Sequence, residues 1–319
     1  MVNPTFPSIA SEWVEWVSPN LKTSSRVRYL NILRKHILPE FNEKAVSDIG
    51  REDVIAFRNR LLTTGGKKGI GLSPITVNNI LTVLKSILSY ASCIRGIQTK
   101  DLGRIPIRTS QKHMRVFSRE EQKRLTDYLF SNPSSANLGI LLSLYTGLRI
   151  GELCALRWKD INLKEQDLFI HSTLQRIQTL SPDHKTGRRT AVIITEPKSI
   201  SSLRHIPIPE PLMKPLNDAQ CSASCFFLTG DPEKYMEPRT LEYRFARITQ
   251  ACDIRGSTFH TCRHTFATRC VELGFDIKSL SEILGHSNVN LTMNRYVHPS
   301  TEFKQENMNL LSTLINNNF

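Results

Sequence analysis

No run of this sequence is apolar enough for long enough to cross a bilayer. The start, "MVNPTFPSIASEW", lacks a basic segment followed by an apolar one, the mark of a secretory leader. Both absences favour a soluble, intracellular chain. Cysteine pairs are missing as well. The seven cysteines are odd in number and scattered, and Cys221 and Cys225 form a lone C-x₃-C with no second pair nearby. That excludes a disulfide framework, gives no credible zinc ribbon and suggests a reducing cytosol. There is no glycine-rich phosphate loop, which argues against ATP use, and no Asp/Glu pair set for two-metal chemistry. No internal repeat is visible, and the one low-complexity stretch is the short Asn run at the carboxyl end.

What the chain does have is positive charge. Its 319 residues, enough for about two domains, carry 42 Lys plus Arg against 29 Asp plus Glu, a net +13. Such a balance suits a polyanionic partner, through phosphate neutralisation and counterion release. The charge is uneven: residues 1–115 hold 18 basic and 8 acidic side chains, and the remainder 24 and 21. The first third is therefore expected to be the main electrostatic grip. A basic residue singled out further on needs a local explanation.

The first hundred residues read as helices. In "FPSIASEWVEWV", Ile9, Trp13 and Trp16/Val17 fall at helical spacing; in "SSRVRYLNILRKHILPEF", Val27, Leu30, Leu33 and Ile37 do. "SDIGREDVIAFRNRLL" offers Ser47 or Asp48 as a cap, and "SPITVNNILTVLKSILSYA" starts with Pro74 in its first turn. Four helices with basic faces suggest a small bundle. The basic, unpatterned stretch "GRIPIRTSQKHMRVFS" reads as a linker. A second unit opens at "SREEQKRLTDYLF", where Ser118 and Glu121 have capping-box spacing. Helices run on to "LLSLYTGLRIGELCALRW". Then "DLFIHST", "RTAVIIT" and "LRHIPIP" read as strands, the last two joined by the turn "KSISS", and helices return from about Pro238. The domain expectation is residues 1–102, a linker over 103–117, and 118–319.

Two short segments hold the chemistry. In "TFHTCRHTFAT", His260 and Arg263 stand three apart and share a helix face. His260 and His264 have a spacing that zinc would accept, but no general-base Glu accompanies them, and Arg263 would repel the metal. In "YTGLRIGELCALRW", Arg149 follows Thr-Gly and opens a helix, where a cation opposes the dipole. A bound anion such as a phosphate would resolve that conflict. Tyr296, in "LGHSNVNLTMNRY", is on base rates an ordinary half-buried aromatic.

Taken together, "TGLRIGELCALRWKDI", "EPKSISSLRHIPIP", "HTCRHTFAT" and "LGHSNVNLTMNRYVH" resemble the tyrosine recombinase family, most of all the integrases of phages and mobile elements. Six positions of the family pattern are filled in order, over roughly residues 145–298: Arg149, Lys198, His260, Arg263, His286 and Tyr296. The resemblance implies a fold that is mainly α with a small antiparallel β-sheet. A helical-bundle core-binding domain would be joined to a mixed α+β catalytic domain, forming a C-shaped DNA clamp. It makes Tyr296 a nucleophile that links to a 3′-phosphate.

Forming a phenolate at neutral pH costs roughly 4 kcal/mol, which a cationic site is expected to reduce. Arg149 and Arg263 would clamp the non-bridging oxygens, and Lys198 in its hairpin would protonate the departing 5′-oxygen. His260 would act as base or bind the phosphate, His286 would donate a further hydrogen bond, and Glu152 would orient these groups. Lys185, in "SPDHKTGRR", is the alternative to Lys198. No metal and no cofactor is expected.

The implied partners are double-stranded DNA at recombination sites and three further copies in a homotetrameric synapse. A host DNA-bending factor or an excisionase would be accessory partners, and no membrane is involved. The implied location is the bacterial cytosol, with the nucleoid. The apolar stripe Phe303, Leu310/Leu311 and Leu314/Ile315 could pack on its own domain or on a neighbouring protomer. The family often has an arm-binding domain ahead of the helical unit, whereas here the core-binding region begins almost at once. Two rivals stay open: a catalytically inactive DNA-binding relative, and a topoisomerase using the same chemistry only to relax supercoils.

Overall fold

The computed structural model describes residues 4–66, 69–108, 114–179, 190–196 and 202–296, with Gln305, Met308 and Asn309 beyond them. The chain forms two compact units: Met1–Lys112 with Ile177–Ala191, and His113–Arg176 with Val192–Phe319.

In the first unit α1 (Phe6–Val17) buries Phe6, Ile9, Ala10 and Trp13, and the Trp13 indole donates to Ser86 Oγ at 3.2 Å. Trp16 departs from the expected stripe and lies exposed. The next helical stretch is built from α2 (Thr23–Ile32), a π-turn over Leu33–Ile37 and α3 (Leu38–Phe41). Pro39 cannot donate to Lys35, and its ring would crowd that carbonyl. The wide turn just before it, closed by Leu38 N–H on the Leu33 carbonyl, lets the chain pass through the proline without breaking. The turn also rotates the face: Val27, Leu33, Ile37 and Phe41 are buried, while Leu30 is only half-buried.

Helix α4 (Arg51–Thr63) is capped by neither Ser47 nor Asp48, which lie in a preceding 3₁₀ turn. Its cap is Gly50, whose N–H donates to Asp53 at 2.8 Å. Helix α5 (Pro74–Cys93) starts at the expected proline, under Ser73. It carries Val77, Ile80, Leu81, Leu84, Ile87 and Leu88 into the core. Ile105 packs there as well.

The second unit begins where Phe117 enters another core. Ser118 and Glu121 form the expected capping box of α6 (Arg119–Ser131), with reciprocal bonds of 3.1 and 2.8 Å. Helix α7 (Ser135–Thr146) is apolar around almost its whole circumference and runs through the middle of this core. Helix α8 (Ile150–Ala155) follows after a sharp turn.

Strands β1 (Ile161–Asn162), β2 (Asp167–Ile170) and β5 (Arg204–Pro207) make an antiparallel sheet in the order β1-β2-β5. Strands β3 (Thr173–Gln178) and β4 (Thr190–Thr195) make a separate pair. The segment expected to be one strand over "DLFIHST" thus breaks after Ile170 and begins again at Thr173. Strands β4 and β5, expected to be joined by the turn "KSISS", belong to different sheets, and residues 198–201 of that stretch lie outside the described residues. Helices α9 (Met213–Asp218), α10 (Pro238–Ala251), α11 (His260–Glu272), α12 (Ile277–Leu284) and α13 (Val289–Tyr296) complete the described fold.

Among the described residues no helix is long and apolar enough to cross a membrane. Lys198, Lys185 and the carboxyl-terminal stripe of Phe303, Leu310/Leu311 and Leu314/Ile315 lie outside the described residues.

Candidate active site

The site is organised around turns that end helices. Gly147 stops α7 with φ +70°, a left-handed conformation that glycine adopts without strain. A Cβ there would lie 2.6 Å from the Phe266 ring. Two residues on, Arg149 is the N-cap of α8 in extended backbone. The anion that its helix-start position calls for is supplied first by the chain itself. Glu152 accepts the Arg149 backbone N–H at 2.9 Å and its Nη1 at 2.7 Å. The Arg149 guanidinium also reaches the Gly285 carbonyl at 3.3 Å, and its side chain stays 36 % exposed. One edge is therefore available to a ligand.

Arg204, not singled out in the sequence, completes this cluster. On β5 the inward positions alternate, so Arg204 and Ile206 point inward while His205 points outward. A cation buried in this way needs a counter-charge. It finds Glu152 through two bonds, 3.1 and 2.9 Å, and its Nε donates to the Ile283 carbonyl at 2.6 Å. Burial alone would raise the Glu152 pKa. The hydrogen bonds and charge of Arg204, then Arg149, outweigh it and hold the group down at about 2. The available signal was a basic residue on the apolar face of a strand.

Arg263 on α11 is 2 % exposed. It donates to the Gly147 carbonyl at 2.8 Å and the Leu284 carbonyl at 2.5 Å. Among the described residues no carboxylate pairs with it. Burial and the charge of Arg149 both lower its pKa. Its Nη2 also lies 3.0 Å from His286 Nε2. A guanidinium can only donate, so Nε2 accepts and the ring proton sits on Nδ1, directed at Thr292 Oγ1 2.8 Å away. His286 therefore does not present its Nε2 as the expected donor; it buttresses Arg263. Burial, then Arg263 and Arg149, lower its pKa to about 4, so the ring is neutral at pH 7.

The histidine beside the tyrosine is not the one expected. His260 is exposed and does not hold the tyrosine. Its ring meets the edge of His264 at 4.4 Å between centroids. It is His264, a residue weighed above only as a metal ligand, that lies with Nδ1 3.0 Å from the Tyr296 hydroxyl. The i, i+4 spacing of the two histidines was visible, but the partner of the second was not. Burial, then His260, Arg295 and Arg263, bring the His264 pKa down to about 4. Tyr296 is 6 % exposed, its ring among Ala267, Cys270, Leu280 and Leu284. Burial raises its pKa, and the charges of Arg263, Arg295 and Arg149 only partly offset this. The expected easing of phenolate formation is thus not met in the free protein.

Within one unit, then, lie two guanidinium groups fixed by turn carbonyls and a buried carboxylate, and a tyrosine that feels both charges. Comparisons with known proteins bear on the chain as a whole. Residues 114–302 match the phage integrase family, and residues 5–62 match the phage integrase N-terminal SAM-like domain. A XerC-like tyrosine recombinase of Caldanaerobacter subterraneus subsp. tengcongensis is 26 % identical, with 97 % of this chain and 83 % of the relative covered. The ICEBs1 integrase of Bacillus subtilis is 24 % identical over 98 % of this chain and 83 % of its own.

Among solved structures, the Tn1549 transposon integrase in complex with transposon right end DNA superposes with a TM-score of 0.74 at 21 % identity, covering 95 % of this chain and 99 % of that one. A lambda integrase dimer bound to a core site gives 0.65 at 17 % identity, over 92 % and 77 %. These likenesses show the fold. The class defined by fold and family is the tyrosine-type site-specific DNA recombinases. The chain belongs to the phage integrase family.

Proposed function

We propose that this protein cuts and rejoins duplex DNA at specific sites by attaching Tyr296 to a 3′-phosphate, moving a mobile element or prophage into or out of a chromosome. The observation that carries this reading is Arg263, a buried cation with no carboxylate of its own among the described residues, next to the partly open Arg149. Arg149 can fork onto a non-bridging oxygen of a phosphodiester through its open edge, and Arg263 adds its charge from behind, coming to the second oxygen once the chain rearranges on DNA. Their rigid mounting would stabilise the charge that builds as phosphorus becomes five-coordinate.

In the reaction the Tyr296 oxygen bonds to phosphorus as the P–O5′ bond breaks. The phenol proton leaves to His260 or to solvent, and the departing 5′-oxygen takes a proton from Lys198. Attack by another 5′-hydroxyl reverses the step on a new strand, so the phosphotyrosine conserves the bond without ATP.

The similar structures solved on DNA include a lambda integrase tetramer bound to a Holliday junction, which supports four protomers on two sites here; an excisionase or a DNA-bending factor would be accessory partners. A location in the bacterial cytosol, with the nucleoid, follows from that substrate.

The test uses nicked suicide duplexes cut from the DNA flanking the gene. The wild type should form a covalent adduct mapped to Tyr296, in excess EDTA as well as without it. Tyr296→Phe should bind the DNA and form none. Adducts in that variant, or mapped to Tyr235 or Tyr243, would overturn the assignment. Relaxation of supercoils without joining of two sites would mark a topoisomerase.

A further inference from the structure

Tyr296 is held where no DNA strand reaches it. Its ring belongs to an apolar cluster with Ala267, Cys270, Leu280 and Leu284, and only 6 % of the residue meets solvent. In-line attack needs the oxygen within about 3–3.5 Å of phosphorus. A phosphate on a duplex cannot enter that cluster, so the tyrosine must come out.

What it leaves is a specific contact. The phenol oxygen lies 3.0 Å from His264 Nδ1; with Arg295 donating to that oxygen, the phenol hydrogen is left to point at Nδ1, which pairs with the neutral tautomer carrying its proton on Nε2. The surroundings keep it neutral: the ring is partly buried, His260 crowds it edge-on at 4.4 Å, and Arg263 and Arg295 disfavour a second positive charge. Arg295 is the other group bonded to the hydroxyl. Two layers thus retain the side chain, an apolar one around the ring and a polar one at its tip. Helix α11, which also carries Arg263, contributes to both, through Ala267 and Cys270 in one and His264 in the other.

We propose that His264 is a latch, a positioning residue that keeps the nucleophile's hydroxyl inside the domain until α13 shifts on DNA. The proposal rests on the reading that Tyr296 attacks the phosphate. It gives His264 a role opposite to that of a base: the imidazole stabilises the resting tyrosine and opposes cutting by a protomer that has not been rearranged.

The experiment compares the full chain with His264→Leu, His264→Asn and His264→Gln. Asn places an acceptor near the position of Nδ1, whereas Gln reaches that of Nε2. Without DNA, each protein is treated with N-acetylimidazole and Tyr296 acetylation is followed by peptide mass spectrometry. Tyr235 and Tyr243, both exposed, serve as internal standards. Wild type and His264→Asn should react slowly at Tyr296. His264→Leu and His264→Gln should react about five-fold faster, the effect of losing one hydrogen bond of ordinary net strength.

On nicked suicide duplexes the two released variants should form adducts faster than the wild type. Equal Tyr296 acetylation in all four proteins would overturn the latch. So would adduct formation lost in His264→Leu and His264→Gln and kept in His264→Asn, which would make His264 a proton acceptor. Should His264→Leu not fold, the Gln and Asn pair decides. If the wild type forms no adduct while Tyr296 protection still depends on His264, the strand-transfer reading falls and the latch stands.

Discussion

Arg204 and Glu152 are 52 positions apart in sequence and share two hydrogen bonds, 3.1 and 2.9 Å, each side chain less than a tenth exposed. The same carboxylate holds Arg149. One buried anion therefore fixes a candidate catalytic cation from one side and is itself fixed from the other. Removing it would leave two cations without their counter-charge, which for a buried pair costs roughly 3–5 kcal/mol.

That cluster makes stability depend on pH. The Glu152 carboxyl is held at about 2 when folded, against an ordinary 4.5. A depressed pKa adds stability that is fully present above the unfolded value and fades as pH falls through the folded one. Here the window runs from about 4.5 down to 2, and the contribution is roughly 3 kcal/mol. Denaturant titrations at pH 7, 4 and 3 should show the wild type losing about 2 kcal/mol of this increment by pH 3 and Glu152→Gln, destabilised at pH 7, losing less. Parallel pH curves for the two proteins would show that Glu152 carries no such linkage.

Gly285 tests the backbone beneath the site. Its φ is +63°, and an added Cβ would sit 3.0–3.2 Å from the Arg204 guanidinium. Gly274 has φ +77° with open space around it. Gly274→Ala should cost only the conformational strain, about 1–2 kcal/mol. Gly285→Ala should cost more, lower Tm further and reduce DNA cleavage, because Arg204 must give way and takes Glu152 and Arg149 with it. Equal Tm losses with cleavage intact in both would refute that chain of contacts.

Arg149→Ala separates binding from chemistry. On the proposed reading it removes one phosphate contact, so the slope of log affinity against log salt should fall by about 0.9. On the same reading it removes a transition-state clamp, so adduct formation should fall by roughly 10²-fold or more. A drop in adduct formation matched by an equal drop in affinity would make Arg149 a binding residue only.

Helix-forming patterns were legible because they are local. The apolar spacing of α5, its proline start and the Ser118–Glu121 box are set by residues within one or two turns of each other. The sheet pairing was not legible: β4 and β5 are neighbours in sequence, yet each pairs with an earlier strand. Arg149, Glu152, Arg263, His286 and Tyr296 were readable from motif order, and the structure brings them into one unit. Their bonding partners were not readable. Arg204 becomes meaningful only once β5 is laid against β2 with Ile170 opposite it, and His264 only once α13 folds back against α11.

The alternation of β5 ties the Arg149–Glu152–Arg204 cluster to the parity of a strand. Loss of one residue from β5 would leave a ladder that can still pair, but would turn His205 inward and Arg204 out to water. The domain would keep its outline while Glu152 lost its anchor, and with it the Arg149 mounting. Changes in length within this short strand are therefore a way to silence such a protein without unfolding it, whereas the same change in a surface loop would pass unnoticed.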